Sequence, residues 1–195
     1  MIKSALQSSL TNDVKYASMS AGNLPSSEYL IQTTVVGATP VASVEFDVSD
    51  YAGVYRHLKI VSAIRTTRAS SSADFLKITF NSDTTGYARH ALYSNGSTPA
   101  SYGLTDIIGT SDFPASTSPA NQYGAFVMDI LDPFNTNKNT TIRLLGGSAG
   151  SPSQIMLTSG LWVDTTPVSS IKFEPGNVSS NIDQYSRFSV YGVTA

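Results

Sequence analysis

From Tyr29 to the C-terminal residues the chain is a succession of short runs in which β-branched and aromatic residues alternate with polar ones. Each run is closed by a cluster of Gly, Pro, Ser or Asn. Because side chains on a strand point alternately to its two faces, such a pattern belongs to antiparallel sheet with one face in a core and one in solvent. Residues 43–48 set Val44, Phe46 and Val48 on one side and Glu45 and Asp47 on the other. Residues 57–64 place Leu58, Ile60 and Ile64 together, and Leu76, Ile78 and Phe80 repeat the arrangement with Lys77 and Thr79 outward. Further strands are predicted over 30–36, 87–93, 126–130, 141–145, 155–163, 168–173 and 188–193. The stretch Asp132-Pro133-Phe134-Asn135-Thr136-Asn137-Lys138-Asn139 has the turn chemistry that joins two of them as a hairpin. Residues 95–123, dominated by Gly, Ser, Thr and Pro, read as one long loop.

About ten short strands without a repeat of 20–50 residues favour an all-β fold, an antiparallel two-sheet sandwich, over a propeller or solenoid. A jelly-roll-like arrangement is the first expectation. An immunoglobulin-like sandwich is the second, and a single Trp with no Cys deprives it of its usual signature. At 195 residues one domain suffices, here residues 26–195. Residues 1–25 stand apart as an N-terminal arm in which Leu6, Leu10, Val14 and Tyr16 form a weak apolar stripe at mostly four-residue spacing. That stripe suits a docking arm, and equally a tail packed on its own domain.

The charged share is only 13 % and the net charge −2, so no basic field attracts nucleic acid or anionic lipid. The pair Arg65 and Arg68 is too small to argue otherwise. Without Cys there are no disulfides, thiolate metal sites or cysteine nucleophiles. No apolar run reaches the roughly 20 residues that span a bilayer, and the first residues lack a signal-peptide core, so synthesis in the cytoplasm without secretion is expected.

A search for chemistry returns little. The two histidines, His57 and His90, have no motif around them, and no G-x-S-x-G elbow accompanies the many serines. Glu45, Asp47 and Asp50 are explained by strand alternation and a turn, and Asp83 after Asn81 lacks the spaced acids of a calcium loop. Leu145-Gly146-Gly147-Ser148 has neither the Lys nor the helix of a phosphate cradle. No catalytic residue, metal or cofactor is expected. The tyrosines at or beside turns, Tyr51, Tyr55, Tyr87, Tyr93, Tyr102 and Tyr123, serve either packing under loops or a contact surface. Tyr102 and Tyr123 are the candidates for a contact loop.

The run Leu76-Lys77-Ile78-Thr79-Phe80-Asn81-Ser82-Asp83-Thr84, continuing through Tyr87, His90 and Tyr93 to Asn95-Gly96-Ser97, resembles a block found in structural proteins of tailed bacteriophages. Tyr55-Arg56-His57-Leu58-Lys59-Ile60, Met128-Asp129-Ile130-Leu131-Asp132, Ser159-Gly160-Leu161-Trp162, Ile171-Lys172-Phe173 and Phe188-Ser189-Val190-Tyr191-Gly192-Val193 are similar to further blocks in the same order. The resemblance implies a jelly-roll-like virion protein acting as a trimer or other closed homo-oligomer, with no catalytic residues. Two locations fit: a capsid decoration or cement protein held on the major capsid protein, or a tail or tail-fibre tip module that binds a host receptor or glycan.

Overall fold

The structure, a computed structural model, describes residues 28–194. Fourteen strands follow one another: β1 (Glu28–Val35), β2 (Val44–Asp47), β3 (His57–Ile64), β4 (Ala73–Asp74), β5 (Leu76–Phe80), β6 (Tyr87–Ser94), β7 (Pro99–Leu104), β8 (Ile108–Gly109), β9 (Phe113–Pro114), β10 (Gly124–Leu131), β11 (Thr140–Ser148), β12 (Gln154–Trp162), β13 (Ser170–Pro175) and β14 (Arg187–Val193). They form an eight-stranded sheet in the order β1-β14-β3-β10-β11-β12-β6-β7 and a four-stranded sheet in the order β2-β13-β5-β8. A small third sheet pairs β4 with β9. All strand pairings are antiparallel.

The alternation in the sequence becomes the sandwich directly. On the large sheet Leu58, Ile60 and Ile64 of β3, Phe126, Met128 and Ile130 of β10, and Ile142 and Leu144 of β11 face inward and are buried. Phe46 of β2, Phe173 and Ile171 of β13, and Leu76, Ile78 and Phe80 of β5 meet them from the small sheet. Phe173 stands at the centre, its ring 5.1 Å from that of Phe188, 5.9 Å from Phe126 and 6.3 Å from Phe46, so one side chain ties three other strands across both sheets. Truncating such a ring costs about 3–5 kcal/mol through lost burial and an unfilled cavity. A second aromatic group closes one end, where Phe80, Tyr87 and Trp162 pack together and Trp162 Nε1 donates to Asp83 Oδ2 at 3.0 Å. Burial pushes the Tyr87 hydroxyl up to about 12, and that hydroxyl accepts from the Phe80 backbone N–H.

The turn after β5 uses residues that tolerate a left-handed backbone. Asn81 and Ser82 have φ of 53° and 58°. Asn81 Oδ1 accepts from the backbone N–H groups of Ser169 and Ser170, which ties this turn to the start of β13. Gly192 on β14 lies under the Tyr55 ring, where a Cβ would come within 2.2 Å of Tyr55 Cδ2.

Two expectations are corrected. The stretch 95–123 is not one loop: it contains β7, β8 and β9, whose irregular polar composition hides short edge strands that are recognised only by their partners. Thr79 lies on the outer face of β5 as alternation requires, yet it is buried, because this short side chain sits beside its longer cross-strand neighbour Lys172.

Candidate functional site

The two outer faces of the sandwich differ in chemistry. The small sheet presents Glu45, Asp47, Lys77, Lys172 and Glu174, with Lys172 and Glu174 ion-paired at 2.8 Å. That is an ordinary solvated face. The large sheet instead carries Val61, Val127, Leu145, Leu157 and Leu92 in one row, each the direct cross-strand neighbour of the next across β3, β10, β11, β12 and β6. Ile155 extends it in the adjacent row, beside Gly147. These six side chains are between 38 % and 59 % exposed. Together they leave on the order of 500 Å² of aliphatic surface in water, the size at which a patch on a monomer usually has a function.

The row is bordered on one side by Ala63, Ala125 and Gly147, and on the other by Lys59, Asp129, Arg143, Ser159 and His90. Arg143 donates through Nε and Nη2 to Asp129 Oδ2, at 3.1 and 2.8 Å, and Lys59 pairs with Glu28. An apolar centre with a polar, internally neutralised rim is the anatomy of a protein–protein interface. Between the row and the turn after β6 lies a shallow groove of about 540 Å³, lined by Val127, Leu145, Ile155, Ala125, Gly147 and Gly96.

The second feature is a crevice of about 320 Å³ at the β6–β7 side of the sandwich, lined by Phe75, Arg89, Tyr93, Tyr102, Thr110, Asp112, Gln154 and Met156. Arg89 points inward from β6 and is only 8 % exposed. Its Nε is buried without an acceptor, and among the described residues no oxygen accepts from the guanidinium and no carboxylate pairs with it. Its recorded partner is the Tyr102 ring, 5.3 Å from Cζ. A buried charge without a counter-charge costs several kcal/mol. Arg65 shows how this chain treats a structural arginine: its Nη atoms donate to the carbonyls of Pro119, Gln122 and Ser118, and its Nε lies 3.4 Å from Asp183. The Asp112 carboxyl in the crevice is raised above its usual range, first by burial and then by repulsion from Asp74, with Arg68 opposing.

Of the residues singled out in the sequence, Tyr102 lines this crevice, edge-on to Tyr93 at 5.8 Å. Tyr123 does not join it; its hydroxyl donates to the Gln184 carbonyl at 2.9 Å, so it packs a loop instead. Tyr51, Tyr55 and Tyr87 are core residues. Leu6, Leu10, Val14 and Tyr16 lie outside the described residues. His57 Nδ1 accepts from the Asp132 backbone N–H at 2.9 Å, and His90 stands at the rim of the apolar row, so the structure does not bring the two histidines together. Among the described residues no group of three or more His, Asp and Glu side chains is placed to hold a metal ion. Sequence reading missed both Arg89 and the aliphatic row. The row had a signal, since Leu92, Val127, Leu145 and Leu157 fall on the polar phase of their strands, but only the register aligns them. Searches against protein-family models and curated proteins return no match for this chain.

Proposed function

We propose that this chain is a non-enzymatic structural protein of a tailed-bacteriophage particle, a closed homo-oligomer whose subunits cover one another's aliphatic row. The observation that carries the reading is the row itself, Val61 to Leu92, running across five adjacent strands on the face that should be polar. A standard interface takes about 800 Å² from each partner, and the row with its small-residue and paired-charge borders supplies an area of that order. A second copy is the occupant because the rim charges are already neutralised within the subunit, so covering them requires no charged surface from a foreign partner.

The jelly-roll-like reading has support in the pairing of early strands with late ones, alternately in the two sheets. β1 lies against β14 in the large sheet and β2 against β13 in the small one. The oligomer that the resemblance implies is a trimer or another closed homo-oligomer. Head decoration, with the arm at residues 1–25 holding the major capsid protein, is the first location. The tail-tip location is favoured by the crevice at Arg89, which has the features of a binding site. Immunogold labelling of purified particles tests the reading: label spread over the head supports decoration, label at the tail end moves the protein there, and particles without label refute a virion role.

A further inference from the structure

We propose that the crevice between β6, β7 and the segment leading into β9 binds the carboxylate of an acidic sugar, held by the Arg89 guanidinium with the Tyr102 and Tyr93 rings against the sugar ring. The site deepens the tail-tip reading, and its binding test is separate from the labelling that decides location.

A buried guanidinium is a planar cation whose N–H donors need acceptors, and Arg89 is only 8 % exposed. The other deeply buried arginine, Arg65, is engaged by three main-chain carbonyls and by the Asp183 carboxylate, whereas Arg89 keeps a buried N–H without an acceptor. Its fork is the donor geometry that carboxylates and phosphates match. Space for it is built in: a Cβ on Gly109 would stand 2.1 Å from Arg89 Nη1, so the backbone of β8 comes close because that residue has no side chain.

The lining then selects among anions. Asp112 shares the crevice, and no donor among the described residues reaches its carboxylate. One cation beside one acid suits a monoanion that also offers hydroxyl donors, and it disfavours a phosphate dianion. Gln154 already accepts from the Asp112 backbone N–H through Oε1, which leaves its amide N–H groups to donate. The rings of Tyr93 and Tyr102, set edge to face, present the apolar surface against which the C–H face of a pyranose packs. A volume of about 320 Å³ admits one sugar ring with its substituents, not an extended chain. A uronic acid combines these properties: one carboxylate, several hydroxyls and one apolar face.

The test titrates glucuronate into the full-length, ¹⁵N-labelled chain and follows the Arg89 Nε–H resonance together with backbone amides. Glucuronate is expected to shift the Arg89 signal and the amides of Tyr102 and Gln154 with millimolar affinity, while glucose at the same concentration leaves them in place. Arg89→Met is expected to abolish binding at least tenfold without lowering the thermal midpoint, because it removes a charge that has no partner. Should that variant fail to fold, Gly109→Ala serves in its place: its Cβ meets the guanidinium end of Arg89 first, 2.1 Å from Nη1, with Phe75 Cδ2 next at 3.3 Å, and it is expected to weaken glucuronate binding to a similar degree. Equal shifts from glucose, tighter binding of inorganic phosphate, tighter binding of a tripeptide through its terminal carboxylate, or unchanged glucuronate affinity in the variant would each overturn the assignment.

Discussion

Replacing Leu145 and Leu157 together by Asp tests the proposed assembly face at the centre of the row. The two are cross-strand neighbours at the centre of the row and are 52 % and 48 % exposed, so each has about half of its surface still to be covered. Burying a whole leucine side chain is worth about 1.5–3 kcal/mol, so the uncovered halves contribute about 1.5–3 kcal/mol per subunit when a second copy covers both. Each carboxylate must also be stripped of water at the interface, which adds about 2 kcal/mol or more. The loss is then at least about 5 kcal/mol per subunit, a weakening of more than about 1,000-fold in association. Sedimentation velocity across micromolar concentrations is the assay, with far-UV circular dichroism to show that the sheets persist. A Leu145→Thr, Leu157→Thr pair retains strand preference and separates loss of assembly from loss of fold. The wild-type chain should sediment as an oligomer and the Asp pair as a monomer. An Asp pair that is folded and still oligomeric refutes the reasoning.

Three further outcomes follow from the core and the surface charges. Asp132 is lowered below its usual carboxylate range, first by its hydrogen bond to Lys138 and then by Arg56, so its contribution to stability is present above the unfolded pKa and is lost as pH falls through the lower folded value. Asp132→Asn keeps a residue that tolerates the φ of 48° and, with both partners more than half exposed, should cost about 1 kcal/mol at neutral pH and progressively less as the pH is lowered below the usual carboxylate range, as measured by urea melts. Gly192→Ala should destabilise by more than about 2 kcal/mol, since the new methyl meets the Tyr55 ring, and a thermal midpoint unchanged from wild type would contradict that packing. Arg65→Met should cost about 3 kcal/mol and expose residues 115–122 to proteolysis, because three main-chain carbonyls there lose their donor.

The strands were legible wherever burial on one face imposed a two-residue period. Phe126, Met128 and Ile130, or Val44 and Phe46, announce both the strand and the face that it buries. The edge strands β7, β8 and β9 were not legible: their residues bury little or form only two-residue pairings, so local composition resembles a loop and only long-range partners make them strands. The site was harder still. Tyr102 was visible as an aromatic beside a turn, but nothing in the sequence marks Arg89, and its burial emerges only from the pairing of β6 with β12 and the approach of Gly109. The aliphatic row shows the same limit. A single Leu or Val on a solvent face is ordinary, and the line of three leucines and two valines exists only once the register of five strands is known.

The central claim, that this is an assembly protein of a phage particle, is tested most directly by the number of copies in purified virions, measured by quantitative mass spectrometry against the major capsid protein. A head decoration protein is expected at hundreds of copies per particle, and a few to a few dozen would place it in the tail; absence from the purified particle would contradict the account.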